Sequence, residues 1–390
     1  MSITDVSARV TTAPLHTPFV TAVRSTSALE TVVVSVTDAD GHTGRGEGPQ
    51  TWRITGESLE GVTACVTGPL RQAVAGGDPD DLNALLDAVD DAVVGNHVAK
   101  AAMDVALHDL AAQRMGVPLV RLLGGSRVAV ATDVTLSAGQ IPELVDGAVK
   151  RVAEGFGCLK VKVGADPAGD LARLAAIREA VGSGVVLRVD ANQGWRPKEA
   201  VRIIRGMEDA GLDIELVEQP TPAHRLDALA FVTSRVDTTI LADESIRTLD
   251  DLNRVIDTGA ADAVNLKLTK CGGLRAGRTI LEAARQYGIG TTVGSMMEGP
   301  IGIAAAASLA AACGTTAVAD LDAAWWLSEP DEALRYSGGE LRLADGPGLA
   351  ALTFASQGDA STSLDLTLCF RTNAPPPPIT RPSGEDTHDD

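Results

Sequence analysis

The chain has 390 residues, an apolar fraction of 45% and a formal net charge of −19, values typical of an acidic globular protein. This length allows two domains, or one barrel with an appended domain. No run of lysine or arginine occurs, and nucleic acids and anionic membranes both require a basic face, so the composition argues against both as partners. The longest Ala-rich run, 301–312, is too short to span a membrane.

Cysteine usage and the first residues bear on the location of the protein. The five cysteines are far apart and form no CxxC pair, which argues against a disulfide framework and against a thiolate zinc site. The first ten residues contain no charged segment followed by an apolar one. We therefore expect a cytoplasmic protein.

The first part of the chain predicts a mixed α+β unit. Residues 29–37 are rich in β-branched side chains and lead into a hairpin turn at 38–41. Helical patterns then cover three stretches: 57–73, 79–93 and 96–115. Asn96 is placed to act as the N-cap of the third helix.

From residue 130 onward, short apolar runs alternate with helical stretches, the pattern of βα units on a parallel sheet. Each of eight runs carries a polar residue near its end, and these residues recur every 24 to 28 positions: Thr135, Lys162, Asp190, Glu218, Asp243, Lys267, Ser295 and Asp320. Such regular spacing predicts a closed, TIM-type eight-stranded α/β barrel in which the C-terminal strand ends face one cavity.

The domain division follows from these patterns. We predict an α+β domain over 1–125 and a (β/α) barrel over 126–330. Strand-like residues at 336–354 predict that the segment 331–370 returns to the N-terminal domain. The Pro-rich, acidic tail at 371–390 is predicted to be disordered.

Three carboxylates stand at consecutive strand ends, where their side chains can converge: Asp190, Glu218 and Asp243. Converging anions repel one another unless a cation lies between them. Hard oxygen ligands with open positions suit Mg²⁺, with Mn²⁺ as a substitute. The alternative, three unrelated polar residues, is disfavoured by the regular spacing.

Lysines flank this group on two strands. Lys160 and Lys162 alternate with Val161 and therefore point the same way from the second strand, and Lys267 ends the sixth. These strands lie on opposite sides of an eight-stranded barrel, so a metal-bound substrate carboxylate would have one lysine on each face of its α-carbon. Lys160 and the metal would lower the pKa of Lys162 and let it act as a base. A single lysine could instead be a barrel-rim residue.

The eighth strand carries Asp320 and Asp322 on one face of a DLD sequence. They lie too far round the barrel to complete the first shell of the metal. We interpret them as the site for a substrate ammonium group; the alternative is a structural salt bridge.

These residues resemble the muconate-lactonizing subgroup of the enolase superfamily, which has a lysine pair, an Asp/Glu/Asp set and a lysine on the sixth strand at these places. The resemblance covers residues 1 to about 355, including the α+β unit, which caps the barrel in this family. DLD resembles the Asp-x-Asp that holds the substrate ammonium in dipeptide epimerases. The segments HTPFVTAVRS, VTLS, DANQGWRPKEA, MEDAGL and VGSMMEG are similar to those of L-Ala-D/L-Glu epimerases.

The resemblance implies an isomerase that inverts the α-carbon of the second residue of a dipeptide by two-base proton transfer through an enediolate. The expected substrate is L-Ala-L-Glu, a dipeptide of peptidoglycan metabolism. Lys162 and Lys267 would be the two acid/base residues, Lys160 would assist Lys162 and hold the carboxylate, and the carboxylate trio would bind Mg²⁺. Implied substrate contacts are Thr135, Ser295, Met296, Met297, Asp320, Asp322 and Arg24, whose planar guanidinium would bind an acidic side chain.

Two departures from the family leave the exact dipeptide open. Arg45 stands where the family usually has an aromatic residue, and AAWWL at 323–327 replaces a more usual Ala-Pro start. Trp325 and Trp326 closely follow the DLD strand and alter the expected pocket for the first residue.

Two other hypotheses about the function remain open from the sequence. The chain could be a cycloisomerase, o-succinylbenzoate synthase or N-acylamino acid racemase of the same subgroup, although the substrates of these enzymes lack a free ammonium group. It could also be a catalytically silent scaffold, although such proteins usually lack a base or a metal ligand and none is missing here. Barrels of this type often form homo-oligomers.

Overall fold

The computed structural model describes residues 1–20, 25–137, 139–331, 333–350 and 352. Arg24 and the tail at 371–390 lie outside these ranges, so their assignments stay predictions. In the described part of the chain, no helix is both long and apolar enough to cross a membrane. The four cysteines that the structure describes are free thiols.

The chain begins with a three-stranded antiparallel sheet of order β1-β2-β3: β1 Ile3–Val20, β2 Ser25–Asp38 and β3 Thr43–Pro49. The predicted hairpin turn at 38–41 is confirmed. Its two ends meet where the backbone N–H of Asp38 donates to the carbonyl of His42 at 3.1 Å. The carboxylate of Asp38 also accepts the backbone N–H groups of Asp40 and His42, each at 2.9 Å, which fixes the turn.

The three predicted helical stretches are present, and the first is interrupted by a π-helical turn at Val66–Leu70. The helices are α1 Leu59–Cys65, α2 Arg71–Val74, α3 Leu82–Ala92, α4 His97–Met115 and α5 Leu119–Leu122. The expected capping role of Asn96 is wrong. This residue has a left-handed backbone and its side chain donates to Val94 instead, while Glu57 accepts the N–H of Val98 in the first turn of α4.

Glycines on β3 let this strand pack directly against the buried helix α4. Gly44 and Gly46 alternate with Arg45 and therefore face the same side of the sheet. A Cβ atom on Gly46 would lie 2.8 Å from the carbonyl carbon of Ala102 and closer still to its oxygen. Gly44 meets the next turn of the helix in the same way, at Ala106. The helix α4 therefore packs as a second layer directly against the face of the sheet.

The second part of the chain is a seven-stranded parallel sheet with the strands in sequence order. Its strands are β5 Val134–Leu136, β6 Cys158–Lys162, β7 Val186–Asp190, β8 Ile214–Glu218, β9 Thr239–Ala242, β10 Ala263–Lys267 and β11 Gly290–Gly294. The short strand β4 Ala129–Ala131 precedes them. The helices are α6 Ile141–Ala153, α7 Pro167–Val181, α8 Pro197–Asp209, α9 Leu226–Thr233, α10 Leu249–Thr258, α11 Leu268–Cys271, α12 Leu274–Gln286 and α13 Pro300–Cys313.

The eighth predicted run, 317–323, forms two isolated parallel bridges and no longer strand. Asp320 bridges Gly294 at the end of β11, and Ala319 bridges Thr132, just before β5. The backbone N–H of Asp133 donates to Ala319 at 2.9 Å. The run therefore contacts both edges of the parallel sheet. A 3₁₀ turn at Ala323–Trp326 follows it.

The strands expected at 336–354 are shorter than predicted and have a different partner. β12 Arg335–Ser337 and β13 Glu340–Arg342 form a hairpin that pairs with β4 and not with the N-terminal sheet. Contact with the N-terminal unit comes slightly later, where Gly348 bridges Pro118.

A buried polar contact joins α4 to the start of α12. Asp104 accepts the backbone N–H of Leu274 at 2.6 Å, and its carboxylate lies 3.2 Å from Nδ1 of His108. Burial alone would lower the pKa of His108, but the charge and hydrogen bonds of Asp104 outweigh it and raise the pKa above 6.5.

This raised pKa predicts a pH-dependent contribution to stability. A histidine that binds its proton more tightly when folded stabilises the protein fully below its unfolded pKa and loses that effect as pH rises through the folded value. We therefore expect the stability advantage of the wild type over His108→Gln to decrease from pH 6.5 upward. Urea unfolding between pH 5.5 and 9 measures it, with the exposed His224→Gln as control. An advantage that stays constant with pH contradicts the prediction.

Candidate active site

The C-terminal ends of the parallel strands carry the predicted lysines. Lys160 and Lys162 lie on β6, and Lys267 is the last residue of β10. Three strands, β7 to β9, separate β6 from β10 in the sheet. The lysines therefore reach the strand ends from two separate positions on the curved sheet.

The three predicted metal ligands occupy the strands between the lysines. Asp190 ends β7 and stands directly beside Glu218, which ends β8. Asp243 follows the last residue of β9. All three carboxylates are buried, so their charges require compensation by nearby cations.

Each of the two predicted bases contacts an outer member of this trio. Lys162 Nζ lies 2.5 Å from Oδ2 of Asp190, and Lys267 Nζ lies 2.9 Å from Oδ2 of Asp243. The structure thus brings the two lysines to opposite ends of one row of carboxylates.

Lys160 lies at the centre of the cluster. Its Nζ is 2.7 Å from Oε2 of Glu218, 2.7 Å from Oδ2 of Asp320 and 3.4 Å from Oδ2 of Asp190. Burial alone would lower the pKa of Lys160, but these three charges outweigh it and raise the pKa well above its ordinary value. Lys160 is held as a permanent cation, which suits electrostatic binding of a carboxylate better than proton transfer.

The pKa of Lys267 is also raised. Burial would lower it, and the charges of Asp243 and Glu218 outweigh burial. At Lys267 the described side chains therefore do not themselves provide the lowered pKa expected of a base. A divalent cation among the carboxylates would offset their field at the lysine.

Two residues near Lys267 were missed in the sequence. The buried Lys270 donates to the backbone carbonyl of Asp243 and lies 2.5 Å from its Oδ1, the carboxylate oxygen that Lys267 does not contact. Asn265 donates to Oε1 of Glu218 at 2.9 Å. Asn265 lies two positions before Lys267 on β10, so the two side chains point to the same face of the strand. This spacing could have identified Asn265 in the sequence.

Gln219 supports the same carboxylates through the backbone. Its side-chain oxygen accepts the N–H groups of Asp243 at 2.9 Å and of Ser245 at 3.2 Å, and its amide donates to Ser245 Oγ at 2.9 Å. Gln219 itself has a φ of +37°, a conformation that costs free energy in a residue other than glycine. The hydrogen bonds fix the turns after β8 and β9 against each other.

The donor set fits a divalent cation. Burial and the charge of Asp190 raise the pKa of Glu218 to about 7, and burial with the charges of Asp243 and Asp190 raises the pKa of Glu244 to about 7. Negative charge therefore exceeds what the lysines compensate. Oε2 of Glu244 and Oδ1 of Asn192 are buried without a hydrogen-bond partner among the described residues. Hard oxygens with excess negative charge are the ligands that Mg²⁺ prefers.

The DLD carboxylates are also buried at the site. Asp320 forms the ion pair with Lys160 described above. Asp322 accepts two hydrogen bonds on Oδ2, from the backbone N–H of Thr135 at 2.7 Å and from the indole N–H of Trp326 at 3.0 Å. Asp320 therefore has a salt-bridge partner within the protein, Lys160, and Asp322 is held by hydrogen bonds instead.

A third buried carboxylate, Asp133, completes a cluster in which one oxygen each of Asp133, Asp320 and Asp322 lie within 4.8 Å of one another. This residue was missed in the sequence. Asp133 Oδ2 is 3.2 Å from a guanidinium nitrogen of Arg188. Arg188 and Lys160 thus compensate part of the charge of this second carboxylate cluster.

A cavity of about 350 Å³ opens at the site, and it is lined by Lys160, Lys162, Asn192, Asp243, Glu244, Lys267 and the two DLD carboxylates. The predicted substrate contacts outside the DLD pair also line it: Thr135, Ser295, Met296 and Met297. The N-terminal sheet and the loop after β3 also line it, through Phe19, Thr26, Glu30 and residues 50–54. Arg24 lies outside the described residues. The volume suits a small molecule of dipeptide size.

Comparison with protein families gives two matches that together cover most of the chain. Residues 3–124 match the mandelate racemase / muconate lactonizing enzyme N-terminal domain. Residues 143–352 match the enolase C-terminal domain-like family.

Curated and solved relatives are similar over nearly their whole length. The L-Ala-D/L-Glu epimerase of Clostridium acetobutylicum is 40% identical over 351 residues, which is 90% of this chain and 98% of the relative. A substrate-liganded complex of the L-Ala-D/L-Glu epimerase from Bacillus subtilis has a TM-score of 0.87 and 41% identity, covering 90% and 98% of the two chains. The Enterococcus faecalis dipeptide epimerase, complexed with Mg and L-Leu-L-Tyr, has a TM-score of 0.85 and 37% identity, covering 90% and 99%.

Proposed function

The chain belongs to the mandelate racemase / muconate lactonizing enzyme family of the enolase superfamily, and on this premise we propose that it is a Mg²⁺-dependent dipeptide epimerase. It is an isomerase that inverts the α-carbon of the second residue. The proposed substrate is L-Ala-L-Glu and the product L-Ala-D-Glu. Relatives of about 40% identity that carry the name L-Ala-D/L-Glu epimerase support this choice.

The observation that carries the proposal is the placement of two lysines at the two ends of one carboxylate row. Lys162 contacts Asp190, and Lys267 contacts Asp243, from strands separated by three others. A base on each face of a carbon can remove a proton from one side and return one to the other, which inverts the centre. A single base would return a proton to the face from which it removed one, so the α-proton would exchange with solvent and the configuration would be retained.

We assign the metal to Asp190, Glu218 and Asp243. Bound there, Mg²⁺ would hold the substrate carboxylate and stabilise the negative charge that develops as the α-proton leaves. Lys160, a permanent cation beside Glu218, would hold the same substrate carboxylate. Replacement of Mg²⁺ by Mn²⁺ stays a prediction.

The cavity lining supports the remaining proposed substrate contacts, except that of Arg24, which rests on the resemblance alone. Asp320 and Asp322 would bind the ammonium group of the first residue, beside Thr135. The segment 295–297 would contact the peptide unit, and Arg24 would bind the side-chain carboxylate of the second residue. A free ammonium group in the substrate distinguishes this proposal from N-acylamino acid racemisation and cycloisomerisation.

The proposal extends to the architecture. We propose that residues 317–323, which bridge β11 and the start of β5, are the eighth strand that closes the barrel. The division into a capping domain at 1–125, a barrel at 126–330 and a returning segment at 331–370 belongs to the same proposal. The cytoplasm and a homo-oligomer remain predictions of the sequence.

Proton exchange tests the function. Incubation with L-Ala-L-Glu and Mg²⁺ in D₂O is expected to place deuterium at the α-carbon of glutamate and to produce the D-epimer. Proton NMR follows both changes. Because bound Mg²⁺ would supply the positive charge that offsets the negative charge developing on the substrate, its removal with EDTA should abolish exchange and its return should restore it.

A panel of alternative substrates tests which class of compound the protein acts on. It contains other L,L-dipeptides and N-acylamino acids at equal concentration. Faster racemisation of an N-acylamino acid than of every dipeptide would assign the chain to another activity of the subgroup. No exchange with any member, together with no Mg²⁺ binding by calorimetry, would identify a silent scaffold.

A further inference from the structure

Trp326 lies where the site and the N-terminal strand β1 meet. The 3₁₀ turn at Ala323–Trp326 brings its indole N–H to 3.0 Å from Oδ2 of Asp322. Both side chains are buried, with 6% and 5% of their surface exposed, respectively. A hydrogen bond from a neutral donor to a buried carboxylate is stronger than one between neutral groups.

The two hydrogen bonds to Asp322 fix one of its oxygens and leave the other for a ligand. Trp326 and the backbone of Thr135 both donate to Oδ2, and among the described residues no hydrogen bond to Oδ1 is found. Asp322 lines the 350 Å³ cavity. We propose that Trp326 is a positioning residue that orients the Asp322 carboxylate to receive the ammonium group of the substrate. The inference rests on the dipeptide epimerase activity proposed above.

The ring of Trp326 is itself fixed by β1. The ring of His16 stacks on it, with centroids 5.3 Å apart and planes at 21°, and Phe19 meets it edge-on at 5.4 Å. The backbone reinforces this contact, since Ser328 donates to the carbonyl of Pro14 at 2.9 Å. Phe19 also lines the cavity. The indole therefore has little freedom to turn away from Asp322.

Trp325 was expected near the pocket for the first residue, but it is not among the described residues that line the cavity and it meets Trp326 edge-on at 5.1 Å, so it provides a matched control. Its ring lies 4.4 Å beneath the guanidinium carbon of Arg151 and 5.7 Å from the ring of Phe156, and it also meets His16 edge-on. Its backbone N–H donates to the carbonyl of Asp322 at 3.0 Å, and among the described contacts its indole makes no hydrogen bond to the Asp322 carboxylate. Replacing Trp325 perturbs the same aromatic cluster and leaves the bond to the carboxylate in place.

The test compares Trp326→Phe with Trp325→Phe. Phenylalanine keeps an aromatic ring and removes the N–H donor. Loss of this donor is expected to raise KM for L-Ala-L-Glu about tenfold, the effect of losing one hydrogen bond to a charged group. The kcat should stay within about twofold of the wild type because the ammonium group is remote from the reacting carbon. Trp325→Phe should keep KM within about twofold.

A substrate analogue distinguishes a positioning role of Trp326 from a general disturbance of the active site. N-Propionyl-L-Glu has the shape of L-Ala-L-Glu without the amino group, and its inhibition constant is measured on each variant. If Trp326 acts through the ammonium group, Trp326→Phe weakens binding of the dipeptide and leaves that of the analogue unchanged. An equal loss for both ligands, or no loss for either, overturns the proposal.

A second variant covers the case in which phenylalanine disturbs folding. Benzothienylalanine at position 326 keeps the size of the indole and replaces its N–H with sulfur. It is expected to give the same selective rise in KM, and a KM equal to that of the wild type overturns the proposal. Turnover by the wild-type protein is measured first; its absence would count against the epimerase activity itself and not against the role of Trp326.

Discussion

Replacement of Lys267 by methionine is expected to lower the rate of Ala-Glu epimerisation by about 10²- to 10⁴-fold, the usual contribution of a positioned acid or base. Methionine keeps an unbranched side chain of similar length in this buried position and removes the amine. Asp243 keeps Lys270 at 2.5 Å, so its charge stays compensated. The loss should therefore be catalytic, and the unfolding midpoint should change little. The rate of D-epimer formation measures it.

The opposed placement of the lysines also predicts that the two single-lysine variants exchange the α-proton of different epimers. Lys162 remains in Lys267→Met and can still remove the α-proton that faces it, returning deuterium to the same face. Lys267→Met should therefore exchange the α-proton of one Ala-Glu epimer without inverting it, and Lys162→Met should exchange that of the other. NMR in D₂O with each pure epimer distinguishes the two cases.

Lys198→Met serves as the matched control, because Lys198 is exposed on α8, away from the cavity. Its rate should equal that of the wild type. If Lys267→Met and Lys162→Met exchange the same epimer, the two lysines act from one face and the two-base interpretation fails. If Lys267→Met epimerises at the wild-type rate, Lys267 is not a base.

The site could be predicted from the sequence wherever a charged residue interrupts an apolar strand. Lys162, Asp190 and Lys267 stand out for this reason, and a spacing of 24 to 28 residues places them at equivalent strand ends. Such a period reflects the length of one βα unit, so the parallel order of the strands followed from it. Seven of the eight expected strands occur in that order.

Other residues of the site could not be found in this way, because their roles depend on contacts across the sheet. Asp133 and Arg188 are 55 positions apart in the chain and meet inside the curved sheet at 3.2 Å. Lys270 lies on the short helix α11, where a lysine normally indicates a solvated surface. Only the three-dimensional structure places its amine against Asp243.

The pKa values of the lysines show a second limit of what could be predicted from the sequence. The sequence predicted cations around Lys162, whereas the buried carboxylates dominate at Lys160 and Lys267 and raise the pKa of both. The sign of such a shift depends on the distances to each charge, and these distances follow from packing. A divalent cation bound by the predicted trio of carboxylates would offset their field and lower the pKa of the lysines.

Replacement of Gly46 by alanine is expected to destabilise the protein by about 3 kcal/mol, at the upper end of typical overpacking effects. The new Cβ would lie 2.8 Å from the carbonyl carbon of Ala102 and 3.0 Å from the backbone nitrogen of Ala106. Both neighbours are backbone atoms of the buried helix α4, so no side chain can rotate away. The strand would have to separate from the helix. Guanidinium unfolding measures the change in free energy.

Gly184→Ala is the matched control. Gly184 lies in an exposed turn, and a Cβ there would meet nothing within 4 Å. Its free energy of unfolding should stay within about 0.5 kcal/mol of the wild type. Because β3 leads into residues 50–54, which line the cavity, any folded Gly46→Ala protein should also have a raised KM. Wild-type stability in Gly46→Ala would mean that β3 and α4 do not pack as closely as the structure describes.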